Sequence, residues 1–210
     1  MQIDTFVLGD FATNCYVVRA DKSVKGCFVI DPGLDCAPLI QALQNTKLNV
    51  EAIFLTHGHI DHIAGVEAVR AVCPRAKVYI HRADADMLTS PELNLSAVAG
   101  TLVQARPADI LLDSEISVRL AGVPFELFHV PGHTPGGLCL YSASEKIVFV
   151  GDCLFAGSIG RSDFPGGDGE LLITGIKQKL FTLPADTKVF PGHGPTTTIR
   201  SEIKYNPFFG

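Results

Sequence analysis

Seven histidines occur, at positions 57, 59, 62, 81, 129, 133 and 193, and five of them sit in glycine-bearing segments directly after a short apolar run. Thr56-His57-Gly58-His59-Ile60-Asp61-His62 follows residues 52–55, Pro131-Gly132-His133-Thr134 follows residues 125–130, and Pro191-Gly192-His193-Gly194 follows residues 189–190. A fourth apolar run, residues 147–150, ends in Gly151-Asp152. Imidazole and carboxylate are ligands for zinc and other divalent first-row metals. Glycines beside them let the backbone bend sharply, so that several loops converge on one point. Within the first segment a turn from strand to helix directs His57 and His59 one way and Asp61 and His62 another. That split suits two ions rather than one, with Asp152 arriving from elsewhere to bridge them. Two cations about 3.5–4 Å apart share a water whose pKa falls from about 15.7 toward about 7, which is the chemistry of hydrolysis. One isolated histidine of this kind reads as a surface or capping residue; four such segments in one chain read as a metal centre. His81 and His129 end apolar runs without a glycine-rich loop, so His81 is expected to be structural and His129 to lie near the site without ligating.

The elements that must position these side chains are legible as alternating apolar runs. Residues 15–18 and 27–30 read as neighbouring strands of a meander, residues 52–55 and 78–80 as short buried strands, and residues 110–112, 116–120, 124–130, 138–141, 147–150 and 189–190 as further strands. Residues 38–47, 62–73 and 171–180 carry helical spacing. Residues 84–106 are less regular and read as a short helix with a mobile loop. Strands, helices, strands and a helix in that order predict two packed sheets with helices outside, as one domain spanning residues 1–210.

Bulk properties narrow the class. Hydrophobic residues make up 47% of the 210 and charged residues 19%, enough apolar content for a sizeable core. A formal charge of -5 without any basic run argues against nucleic-acid or anionic-membrane partners. The six cysteines form no C-x-x-C pair and lie mostly in apolar stretches, which predicts reduced, buried thiols. Asp4 stands where a signal peptide would be basic, and no apolar run reaches a membrane span, so the expected location is cytoplasmic.

With these residues in view, the chain resembles the metallo-β-lactamase fold hydrolases, and most closely the short glyoxalase II-type thioesterases. The resemblance covers nearly the whole sequence: Asn14-Cys15-Tyr16, Asp31-Pro32-Gly33, THGHIDH at 56–62, PGHTPGG at 131–137, GDCLF at 151–155, GRSDFPGGD at 160–168, PGHGPTT at 191–197 and Asn206-Pro207-Phe208-Phe209. It implies an α+β four-layer αβ/βα sandwich with the site at one edge of the two sheets. It also implies one metal held by His57, His59 and His133, a second by Asp61, His62 and His193, and Asp152 bridging them. Zinc is the first expectation, with iron or manganese as alternatives.

The implied reaction is hydrolysis of a small-molecule thioester such as an S-2-hydroxyacylglutathione, with Asp61 and Asp152 serving the attacking hydroxide. The rival is a mononuclear iron persulfide dioxygenase of the same fold, whose family resembles the GRSDF segment and would use His57, His133 and Asp152. His59 stands where redox-active di-iron relatives carry glutamate, and His62 where the zinc β-lactamase branch typically lacks histidine. Arg161 and Asp163 are expected to pair and fix their loop, with a substrate or outer-shell contact as the second role. After the last histidine motif only Arg200 and Lys204 are basic, which predicts weak recognition of the thiol half. Cys153 beside Asp152 is expected to pack rather than react. Oligomeric state is left open.

Overall fold

The computed structural model describes residues 1–113 and 117–210. The first half builds a six-stranded sheet in chain order: β1 (Gln2–Leu8), β2 (Thr13–Arg19), β3 (Gly26–Ile30), β4 (Asn49–Phe54), β5 (Lys77–His81) and β6 (Ile110–Leu112). β1, β2 and β3 pair antiparallel, as a meander; β3 through β6 pair parallel. The parallel steps need crossovers. Helices α1 (Ala37–Thr46), α2 (Ile60–Ile63) and α3 (Val66–Val72) supply two of them. The second half builds the other sheet from β7 (Ser117–Leu120), β8 (Val123–His129), β9 (Leu138–Ser142) and β10 (Ile147–Gly151), then a small hairpin of β11 (Leu154–Phe155) and β12 (Ser158–Ile159). Helix α4 (Gly169–Gly175) runs into a wider turn at Ile176–Leu180, and β13 (Lys188–Pro191), β14 (Thr197–Thr198) and α5 (Ile199–Tyr205) finish the chain. Spatially that sheet reads β14-β13-β10-β9-β8-β7. The expected strand at 116–120 is found from Ser117; Ile116 lies outside the described residues.

Strand alternation creates the layers. On β3, Phe28 and Ile30 point between the sheets, where they meet Phe125, Leu127 and Phe149, while Cys27 and Val29 point outward beneath α1 and α3. Val148 and Val150 of β10 likewise face outward, against Leu172, Ile176 and Leu180. Both faces of each central strand are therefore covered, which is why these segments read as unbroken apolar runs. The result is the expected α/β/β/α sandwich. Among the described residues no helix is long and apolar enough to cross a membrane. The six cysteines are all free, and four of them are buried.

Two expectations need correction. The helix read at 62–73 is two pieces, because the Gly65 amide donates to Pro32 O (2.7 Å) instead of back along the helix, and a side chain at Gly65 would strike the Pro32 and Gly33 carbonyls. The segment after β5 is a 3₁₀ turn, Arg82–Leu88, followed by irregular chain that is tied down. Buried Asn94 donates to Met87 O and Val103 O (2.8 and 2.9 Å), and its own carbonyl accepts from the Ile60 amide (2.9 Å). Five elements went unread: β1, whose half-exposed residues pair with β2 along its whole length, the short strands β11, β12 and β14, and α5.

Candidate metal centre

Four strand ends deliver the site. β4 leads through Leu55 and Thr56 to His57 and His59, and α2 carries Asp61 and His62 on its single turn. β8 leads to His133, β10 ends at Gly151 so that Asp152 follows, and β13 ends at Pro191 two residues before His193. Gly151 adopts φ +50, and an added Cβ there would meet the Thr56 side chain, so the turn into Asp152 demands glycine. The two sheets are stitched together at this edge. The Asn14 amide donates to Gly192 O (2.7 Å), its side chain to Pro191 O and Gly194 O (3.0 and 2.9 Å), and the Tyr16 hydroxyl to Pro191 O (2.7 Å).

All seven expected ligand residues converge. The ligand atoms of His57, His59 and His133 lie within 4.8 Å of one another, as do those of Asp61, His62 and His193, and those of His57, His62 and Asp152. His133 Nε2 is 3.0 Å from His59 Nδ1 and 3.3 Å from His57 Nε2. Asp61 Oδ2 is 3.1 Å from His193 Nε2 and 3.3 Å from His62 Nε2. Asp152 stands between the trios: Oδ1 is 3.4 Å from His62 Nε2, and Oδ2 is 3.4 Å from His193 Nε2 and 3.6 Å from His133 Nε2. His62 Nε2 and Asp152 Oδ1 are buried and have no hydrogen-bond partner among the described residues. Buried polar atoms without partners are costly unless something else satisfies them. Imidazole nitrogens pointing at one another, with a carboxylate between, fit divalent cations better than any hydrogen-bond arrangement.

The two trios differ electrically. Burial, and then the neighbouring histidines, push His57 far below its ordinary range and His59 down to about 3. Burial opposes charge at His193 as well, but hydrogen bonds that its ring donates to Asp152 and Asp61 raise it to about 9; His62 is also raised, by Asp61 and Asp152 against its own burial. Asp61 and Asp152 are held far below the carboxylate range despite burial, chiefly by His62.

Four of the remaining ring nitrogens are held by outer groups, and of these groups sequence reasoning had pointed only to Arg161. Asp31 Oδ2 holds His62 Nδ1 (2.9 Å) and accepts from the Thr56 hydroxyl (2.6 Å), which also contacts His57 Nδ1 (3.1 Å). Asp31 sits at φ 49, a strained conformation of the kind found at functional sites. Its place in Asp31-Pro32-Gly33 was the available signal. The carbonyl of Phe11 accepts from His193 Nδ1 (3.0 Å), and Thr13 donates to Asp61 Oδ2 (2.8 Å). Arg161 and Asp163 form the expected ion pair (2.8 and 2.7 Å) at the surface, and the guanidinium lies 3.8 Å over the Phe164 ring. Arg161 reaches the site through its backbone, whose carbonyl accepts from His133 Nδ1 (2.7 Å). His81 and His129 stack on each other (4.0 Å, 13°) outside both trios. Cys153 packs, its thiol pushed up by Cys139 and by burial.

The sequence matches the model of the metallo-beta-lactamase superfamily over residues 8–193, and the chain belongs to that superfamily. Such membership supports a metal-dependent hydrolase. It is 40% identical over 200 residues (93% of this chain, 85% of the relative) to a probable metallo-hydrolase of Streptococcus pyogenes. It is 34% identical over 209 residues (99% and 98%) to the hydroxyacylglutathione hydrolase GloC of Haemophilus influenzae. Among solved structures it is similar to the BLEG-1 B3 metallo-beta-lactamase (TM-score 0.94, 42% identity, 99% of both chains). It is also similar to TTHA1623 in a di-iron-bound form (TM-score 0.83, 37% identity, 98% and 99%).

Proposed function

We propose that the chain hydrolyses small thioesters, of which S-2-hydroxyacylglutathione is the model, at a centre of two divalent ions. The convergence of two separate trios on a shared Asp152 carries this reading. His57, His59 and His133 would hold one ion, Asp61, His62 and His193 the other, and Asp152, which stands between the trios, would serve both. When bound, such a pair supplies Lewis acidity and an activated water. The chain's own contribution is to aim and insulate. Asp31 and the Arg161 carbonyl fix the tautomers and ring orientations of His62 and His133, so that Nε2 of each points inward. Burial keeps water from competing for the inward nitrogens. The reaction adds water across the C–S bond and yields a carboxylate and a thiol. Similarity to the relative named as a hydroxyacylglutathione hydrolase supports the thioester. Zinc is our first assignment, with iron the alternative that the di-iron neighbour supports.

Similarity to the BLEG-1 B3 metallo-beta-lactamase favours β-lactam hydrolysis as the second reading. The experiment is steady-state kinetics of the zinc- and iron-loaded protein on S-lactoylglutathione, a penicillin and a carbapenem, with oxygen uptake on glutathione persulfide beside them. Thioester turnover well above β-lactam turnover, with two ions per chain, is the expected result. Lactam turnover alone moves the assignment to a β-lactamase, and oxygen uptake with one iron moves it to the dioxygenase.

A further inference from the structure

Asp84 is a fully buried carboxylate outside the seven ligand-type residues. It is carried inward by the 3₁₀ turn Arg82–Leu88, whose start is fixed where His81 Nδ1 accepts from the Ala83 amide (3.2 Å). Three donors converge on it from two different metal loops. Oδ1 accepts from the Gly136 amide (2.6 Å), and Oδ2 accepts from the Thr134 hydroxyl (2.7 Å) and the Gly58 amide (3.3 Å). Gly58 separates His57 from His59, and Thr134 follows His133, so the carboxylate is bonded beside all three members of one trio and beside none of the other.

The glycines confirm that the turn is packed hard against both loops. A Cβ at Gly136 would stand 2.6 Å from Asp84 Cγ, and one at Gly58 2.5 Å from Met87 Cβ. Neither glycine has a left-handed φ, so clearance for this turn explains them where bending does not.

On the two-metal reading above, we infer that Asp84 is a positioning residue for the His57–His59–His133 site, holding the His57-Gly58-His59 and His133-Thr134 loops at the spacing one ion requires. A carboxylate can accept from all three donors at once; a carboxamide cannot, because its NH2 must face one of them. Asp84→Asn therefore frees one loop. Loss of an outer partner of this kind typically weakens metal affinity roughly 10–100-fold.

The test is titration of the metal-free full chain with zinc against a chromophoric chelator, and with cobalt followed by visible absorption. His59→Ala and His193→Ala mark the signature of each trio. Wild type is expected to load two ions. Asp84→Asn should keep one step at wild-type affinity and weaken the other roughly 10–100-fold, with a cobalt spectrum like that of His59→Ala rather than His193→Ala. Thr134→Val should move the same step by less, and decides the matter alone if Asp84→Asn does not fold. A general packing role would lower the melting temperature without favouring one site. The inference is overturned if both variants titrate as wild type, if both steps weaken equally, or if the affected step is the one His193→Ala removes. A wild-type chain that binds fewer than two ions overturns the two-metal reading itself, and this inference with it.

Discussion

A histidine binds a cation only through an unprotonated nitrogen, so each ligand's proton affinity sets how it competes for metal. His57 and His59, depressed by burial, are neutral at pH 7; His193, raised to about 9 by Asp152 and Asp61 against its burial, is protonated there until an ion displaces the proton. Uptake at the Asp61–His62–His193 trio should therefore release protons at pH 7. Its affinity should rise as pH goes from 7 toward 9, more steeply than that of the other trio, in which His57 and His59 carry no proton to lose. Calorimetric titrations in buffers of different ionisation enthalpy measure this, and two sites with equal pH slopes would contradict it. For turnover, His57→Ala and Asp152→Ala should each cost more than about 100-fold, beyond what outer-shell changes cost. His81→Ala should leave kcat within a few-fold, since that ring stacks on His129 away from both trios. Comparable losses in all three variants with intact circular dichroism would mean that the histidines have been sorted wrongly.

Elements matter here by what they hold in register. The α5 helix looks like a short tail, yet its buried Glu202 accepts from the Gly157 amide (2.9 Å), the Thr197 hydroxyl (2.5 Å) and Asn206 Nδ2 (2.9 Å), and Asn206 also donates to Ser158 O (3.0 Å). These bonds clamp the β11–β12 hairpin between Asp152 and the Arg161 carbonyl that orients His133. Glu202→Ala leaves three donors without their charged acceptor and should cost roughly 1.5–3 kcal/mol. Thermal melts should show a fall of roughly 3–12 °C. A variant melting within a degree of wild type would show that the clamp carries no stability. The Asn206-Pro207-Phe208-Phe209 segment, legible only as a family mark, acquires a physical role through this clamp. The break at Gly65 has the same character: its cause is the loop at Pro32 and Gly33, thirty-odd residues earlier, and no helical periodicity announces it.

At the scale of the molecule, stability rests on the layer between the sheets. Phe149 is fully buried there, 5.2 Å from the rings of both Tyr16 and Phe190 and 6.5 Å from Phe125. Truncation to alanine should cost roughly 3–5 kcal/mol, because the surroundings relax only partly into the cavity. Differential scanning calorimetry should then register a drop of roughly 6–20 °C for a chain of this size. The loss should spread to the metal edge, since β10 carries Phe149 and runs directly into Asp152, three residues on. A small drop would place the stabilising core elsewhere, in the two outer layers.

Ligand chemistry and layer order were legible in the sequence for local reasons. Glycine-flanked histidines after apolar runs need only strand-ending loops to be recognised, and apolar runs alternating with helical spacing need only the two periods of strand and helix. What tertiary structure alone decided is everything that depends on contact between distant segments. Asp31, Thr13 and Asp84 meet the site through partners 25 to 52 positions away; Asp31 had the Asp31-Pro32-Gly33 motif as a signal, while a lone threonine at the start of β2 and a lone aspartate in a 3₁₀ turn carry no periodic or compositional mark. The glycines at 58 and 136 show the limit clearly. From sequence they read as hinges, while in the fold they are clearances for a turn that no local pattern places against them. Spacing along the chain specifies which side chains can ligate; the packing of the turn after β5 and the strap of α5 fixes where they are held, because those constraints act across space rather than along the chain.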